Sequence, residues 1–269
     1  MSPAPSFAYA VGTLKPIFPD QGVQQAFDCA AQQLKVSEQD YYDVFSFQDP
    51  KTKLYPYLYI AAQTQWVLNI DSLDHYLVIP RSIVELQQCI AALKPQQNTL
   101  QAVYSTVVGL IGPVAVYGEH QSLLPTILSE QVFSQTMDEL HDMLQSFTGV
   151  TSDAIQDVIK QLEMTPNAGD SDFARAKNYL AFRYPEIYQH THKLKNNSEG
   201  SAENGSYFLA NIECSYADIK SPQTVVDVIF TYQKNSSNQQ KNYYCSVDVS
   251  GCFPFISMAL QPFTPLTMM

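Results

Sequence analysis

Three cysteines near the end of the chain, Cys214, Cys245 and Cys252, are the side chains best suited to hold a metal. Zinc takes thiolates and imidazoles in a tetrahedral set, and the alternating apolar runs around Cys214 and Cys245 predict strands that could bring two thiols together. Cys245 and Cys252 do not form a Cys-x-x-Cys knuckle, however. A candidate structural zinc on these three residues therefore stands beside the simpler reading of thiols packed as small apolar groups. His190 and His192 have the spacing of two ligands on a strand, but their surroundings are helical in pattern, and there such residues diverge. Asp227 and Asp248 alternate with valines and predict a shared polar sheet face, on which a paired acid and base competes with plain solvation. His141 beside Asp142 reads as a helix surface. Cys29 and Cys89, each within an amphipathic helical pattern, read as packing residues.

Nucleophilic catalysis finds no support. A subtilisin-type triad needs a serine at a Gly-Thr-Ser helix start, and Gly12-Thr13 is followed by Leu14, which reads as a strand end. The Gly109-x-x-Gly112 spacing lacks the lysine and further glycines of a phosphate cradle. No catalytic residue is assigned. Trp66, Arg81, Arg183 and Tyr184 are instead the candidate binding residues, because Trp, Arg and Tyr combine contact area with directed polar groups.

The elements that must position these residues punctuate clearly. Residues Phe7–Leu14 predict a strand. Asp20 is placed to cap a helix to Lys35, with Val23, Ala26, Phe27, Ala30 and Leu34 on one face. The runs Tyr57–Ile60, Gln65–Ile70 and Tyr76–Ile79 predict strands, the last two joined by a tight Asp/Ser connection. Ser82 begins a helix to about Leu93. A further strand is expected from about Leu100 to Leu110, broken by Gly109–Pro113. Helices are predicted over Thr136–Phe147, Ser152–Met164 and Asp172–Phe182, and Pro185 must bend or end the last of these. The polar 195–206 stretch reads as a loop, followed by strands at Tyr207–Tyr216, Thr224–Gln233 and Asn242–Val249. The fold expected is α+β, antiparallel sheets packed with helices. It has two subregions: an N-terminal half, residues 1–149, and a half of residues 150–269 with helices followed by a three-stranded antiparallel meander.

With 45% hydrophobic and 15% charged residues the 269-residue chain is expected to fold rather than remain disordered. A net charge of -11 repels phosphate backbones and anionic lipid heads, so neither nucleic acid nor a membrane surface is an expected partner. There is no apolar run of about twenty residues and no signal-like start. The five cysteines lack a disulfide-framework spacing. A cytoplasmic location is the expectation.

The stretch Ala176–Tyr188, with its Arg183-Tyr-Pro185 punctuation, is read together with several others. These are Phe7–Leu14, Gln65-Trp-Val-Leu68, Tyr76–Arg81, Asn167–Asp170, Val225–Tyr232, Tyr244–Val249 and Phe253-Pro-Phe255. In this order they resemble the C-terminal domain of the PatG-type cyanobactin maturation proteins. That domain accompanies a subtilisin-like peptide macrocyclase, and its own activity is unassigned. The resemblance implies a place in the biosynthesis of ribosomally made, post-translationally modified peptides. It implies an accessory domain without protease activity that binds a precursor peptide or a peptide-modifying partner enzyme, with a homodimer as the expected assembly. A peptide-tailoring enzyme and a purely structural dimerisation domain are the alternatives.

Overall fold

The computed structural model describes residues 6–95, 103–118, 121–149, 152–161, 167–196, 206–218 and 222–263. Most of the polar stretch expected as a loop near 195–206 lies outside them. The fold is α+β, with two sheets and two compact units. Unit 1 comprises Met1–Met137 with Pro166–Ala168, and unit 2 comprises Asp138–Thr165 with Gly169–Met269.

Unit 1 runs β1 (Phe7–Ile17), α1 (Gln21–Leu34), α2 (Tyr41–Phe45), α3 (Leu58–Gln63), β2 (Gln65–Ile70), β3 (Leu73–Ile79), α4 (Ile83–Ala91), β4 (Val103–Tyr117) and β5 (Ser122–Thr136). Its strands close into a barrel in the order β1-β2-β3-β5-β4, and all neighbours are antiparallel except β3 and β5. The β2–β3 connection is the two-residue turn Asp71-Ser72, with φ of 48° and 69°. Positive φ at both positions matches the right-handed twist of a hairpin. One face of the sheet, carrying Ala8, Ala10, Trp66, Leu68 and Ile127, packs with Phe27, Val44, Phe45, Ile60 and Leu86 of the helices as a single core.

Helix α1 forms as its sequence dictates. Asp20 Oδ1 accepts from the backbone amides of Gly22 (2.7 Å) and Val23 (3.0 Å), and Lys35 closes the helix in the left-handed conformation at φ 57°. Asp20→Ala is expected to lower stability by about 1 kcal/mol, the usual cost of a lost cap, in a chemical denaturation curve.

Several expectations are corrected. Tyr57–Ile60 is not a strand; Leu58–Gln63 is helical, because Ile60 and Ala61 turn together into the core. Gly109–Pro113 does not end β4, which passes through register shifts at Val108/Gly109 and Ile111/Val114 and continues to Tyr117. Gly12 does not end β1 either: it lies mid-strand, where a Cβ would meet the Asn69 carbonyl oxygen.

Unit 2 holds α5 (Met137–Thr148), α6 (Ser152–Gln161), α7 (Asp172–Arg183), α8 (Glu186–Lys195), β6 (Tyr207–Tyr216), β7 (Val225–Lys234), β8 (Gln240–Asp248) and β9 (Phe255–Pro262). Its sheet is an antiparallel meander of four strands, not three, because the chain turns back after Val249 and adds β9 at the edge. The second compact unit takes in α5 and α6, whose Leu140, Leu144, Ile155 and Val158 are buried. On β7, Val226, Val228, Phe230 and Tyr232 are fully buried on the helix-facing side. Tyr232 shares a 2.8 Å hydrogen bond with Thr191 of α8.

Candidate functional site

Cys214 lies opposite Val228, and Val228 lies opposite Cys245. The two thiols therefore sit two strand spacings apart, about 10 Å, whereas two thiolates on one zinc must lie within about 4 Å. Among the described residues no group of three or more His, Cys, Asp or Glu side chains is arranged to hold a metal ion. Burial, with smaller contributions from Cys214, Asp227 and Glu186, pushes the Cys245 thiol up to about 12; burial and Glu85 raise Cys89 to about 12 as well. Both are neutral thiols at physiological pH and poor nucleophiles. The zinc expectation thus fails on geometry.

The histidines diverge as a helix requires. The His190 ring lies edge-on to Tyr243, centroids 4.0 Å apart, while His192 contacts Asn196. Asp227 and Asp248 share a sheet face but are not simply solvated. Asp227 accepts from Ser246 Oγ at 2.5 Å, and Asp248, 2% exposed, accepts from the Ser250 amide at 2.8 Å.

The four candidate binding residues fall into two cavities, one in each unit. In unit 1, Trp66 and Arg81 line a cavity of about 350 Å³ with Ala62, Thr64, Pro80, Ser82, Ile83 and Leu86. Trp66 is its buried floor, 1% exposed, with the indole N–H donating to the Ala61 carbonyl at 3.2 Å. Arg81 stands at the mouth, paired with Glu130. Both side chains are about half exposed, so water screens the pair and it contributes little to stability. The Pro80–Ser82 turn is held by Glu85. Its carboxylate accepts from the Arg81 amide (2.7 Å) and from Ser129 Oγ (2.7 Å), while Ser82 caps α4 by accepting from the Glu85 amide (3.2 Å). This is half of a capping box, with the Glu85 carboxylate reaching one residue past the N-cap to Arg81 and across to β5.

A second cavity in unit 1, of about 330 Å³, was not anticipated from the sequence. Tyr42, Phe45, Ser46, Tyr55, Leu58, Gln87, Ile90 and Ala91 line it. The two cavities follow one seam between α3 and α4. Leu58 serves one and Ala62, a turn along the same face, serves the other; on α4, Ile83 and Leu86 serve one and Gln87 and Ile90 the other. Exposed Tyr55, Tyr59, Ile83 and Val84 lie on the same helices and the loop before them. The Tyr55-Pro-Tyr-Leu-Tyr59 run was the available signal, hidden by its strand-like composition.

In unit 2, Arg183 and Tyr184 line a cavity of about 230 Å³ with Met143, Leu144, Phe182, Pro185 and Tyr188. Tyr184 leaves the helix at φ -123°, ψ 81°, so the Arg-Tyr-Pro bend aims it at β9. Its hydroxyl donates to Glu186 and accepts from the Leu260 amide at 2.9 Å. Burial and the Glu186 bond raise its pKa well above the ordinary phenol value, which keeps the proton on and leaves Tyr184 an anchor rather than a base. Arg183 stays exposed at the rim.

These features define a two-unit α+β protein with two cavities of mixed polar and apolar lining in unit 1 and a mainly apolar one in unit 2, and without a recognisable catalytic constellation among the described residues. Residues 7–116 match the family model described as PatG Domain, and residues 145–263 match the one described as PatG C-terminal. A solved structure described as a PatG Domain of Unknown Function is similar in fold, with a TM-score of 0.70 at 15% identity over 96% of this chain and 98% of that one. No curated protein matches. The chain is a PatG-type domain of unknown function. Among the described residues no helix is long and apolar enough to cross a membrane.

Proposed function

We propose that this domain is an accessory module of ribosomal-peptide maturation of the cyanobactin kind, which binds a linear precursor peptide and carries no protease activity of its own. The observation that supports this reading is the α3–α4 seam, where two cavities of about 350 and 330 Å³ open one helical turn apart. Successive same-side residues of an extended peptide are spaced by about 6.6 Å, close to the rise of about 6 Å over the four residues from Leu58 to Ala62. Two apolar side chains of one peptide could therefore enter the two cavities. Arg81 at the mouth of the first would offer a guanidinium to a peptide carboxylate, exchanging its screened bond to Glu130.

Calorimetric titration with linear precursor peptides encoded near the gene tests this. Arg81→Ala and Tyr55→Ala are each expected to weaken binding about tenfold, the loss of an interface residue that contributes more than about 1 kcal/mol, with melting temperature unchanged. Unchanged affinity in both variants would move the site off the seam, and Arg183→Ala then tests the unit 2 cavity. Native mass spectrometry of the same mixtures separates binding from chemistry: an altered peptide mass would make the domain a tailoring enzyme.

A further inference from the structure

Strands β4 and β5 are longer than the barrel they complete. β4 pairs with β1 only up to Leu110, and β5 pairs with β3 only from Thr126 onward. Beyond those points the two strands pair with each other alone, from Val114↔Pro125 to Tyr117↔Ser122. The passage from barrel to free hairpin is the register shift between Ile111 and Val114, at Gly112-Pro113. Proline gives no backbone donor there, and a bulge is a place where a strand bends. Thr126 Oγ1, donating to the Pro113 carbonyl at 2.9 Å, marks the base of the hairpin.

The hairpin is folded down over the barrel. Ala115, Tyr117 and Leu124 pack with Ile17, Val67 and Leu77 in a small apolar cluster separate from the main core. Its other side is bare, with Val114, Val116 and Leu123 each more than half exposed. Among the described residues no backbone ladder joins this hairpin to β2 or to the first half of β3. Side chains make the tie instead. Gln65 accepts from the Gly118 amide at 2.9 Å and donates to the Val116 carbonyl at 3.2 Å. Tyr117 donates to Asp74 Oδ2 at 3.0 Å, and Asp74 is itself fixed by Asn69 of β2 (2.8 Å) and the Lys15 ammonium of β1 (2.6 Å).

We propose that residues 114–118 with 121–125 form a hinged strap. It bends at Gly112-Pro113, is latched by Gln65 and Asp74, and opens as a unit to uncover Val67 and Leu77. A segment held by one small apolar cluster and a few side-chain bonds belongs at the low-stability end of a fold, where local opening precedes global unfolding. The charged and titratable groups meeting Asp74 are Lys15 from β1 and Tyr117 from β4. Burial alone would raise the Asp74 carboxyl, but the bonds from Lys15, Asn69 and Tyr117 outweigh it and hold the group below its ordinary value. The latch is therefore complete above the unfolded aspartate value of about 4 and is lost as pH falls through the lower folded value.

Amide hydrogen exchange on the intact protein decides the matter. In Asp74→Asn and in Gln65→Ala the amides of residues 114–117 and 122–124 are expected to exchange at least tenfold faster, all by one common factor, while α1, α4 and the β6–β9 sheet keep their rates. Unchanged strap rates in both variants would overturn the proposal. So would acceleration confined to Val116 and Gly118, which would make the contacts ordinary local bonds, or acceleration spread evenly over unit 1.

Discussion

Gly109→Ala is expected to be among the most damaging single changes that unit 1 can suffer. Gly109 pairs on one side with Ala8 of β1 and on the other with Ser129 of β5, where the β4 register shifts. A Cβ at this position would fall on the Leu128 carbonyl oxygen, inside van der Waals contact, and against the Ile127 side chain. Because the obstacle is backbone, no rotamer change relieves it, and β4 and β5 must part where the barrel closes. Overpacking costs about 1–3 kcal/mol, the backbone obstacle puts this variant at the upper end of that range, and Tm should fall by about 10 °C. Trp66 is the single tryptophan of the chain and lies in the unit 1 core, so its fluorescence reports this melting without interference from unit 2. Gly251→Ala is the control, since a Cβ there meets nothing within 4 Å. Equal melting temperatures for the two variants would refute the argument.

Arg175→Ala is expected to do comparable harm to unit 2. The side chain projects from α7 and is 3% exposed. Its Nη1 donates to the Val249 carbonyl at 2.6 Å, and its Nη2 donates to the carbonyls of Gly251 and, at 3.3 Å, Cys252. One planar fork thus holds the turn from β8 into β9, with Asp172 3.9 Å away as the nearby countercharge. Burial draws the guanidinium pKa below its usual value, with Asp172 opposing, yet an arginine remains charged. Truncation leaves the buried Val249 carbonyl without its donor, at about 1–3 kcal/mol, and removes the bonds to the part-buried Gly251 and Cys252 carbonyls as well, a total on the order of 3 kcal/mol. Arg175→Lys should recover only part of this, because a single ammonium cannot reproduce the fork. Urea denaturation followed by far-UV circular dichroism, with limited proteolysis at residues 249–252, measures both variants. Full recovery in the lysine variant would show that charge, not the fork, holds the turn.

What the sequence revealed and what it concealed follow physical lines. Helix α1 was legible because its cap and its apolar stripe are both local, and β6, β7 and β8 were legible because the β7 valines alternate cleanly. β5 was not. Inside its curved sheet the buried positions include Thr126 and Ser129, small polar residues that blur the alternation a strand reader needs. β9 escaped because it is an edge strand, with Phe255 and Met258 exposed rather than buried. The parallel β3–β5 pair that closes the barrel joins segments far apart in sequence, and no local pattern encodes it. At the candidate sites, residue type singled out Trp66, Arg81, Arg183 and Tyr184. Their distribution over two separate cavities depends on the Pro80–Ser82 turn and the Arg183–Pro185 bend in three dimensions. The cysteines misled because predicted neighbouring strands were in fact separated by β7.

Unit 1 is not contiguous in sequence: Val11 of β1 bonds to Asn167, and the Tyr76 hydroxyl donates to the Ala168 carbonyl at 3.3 Å, although both partners follow α5 and α6. On the ribosome, therefore, the barrel emerges and can close before its last piece has been synthesised. Vectorial synthesis leaves β1 waiting for Asn167 until two helices of the other unit have left the exit tunnel. A gene fragment cut before residue 166 would encode a barrel lacking these contacts, however well its strands were chosen.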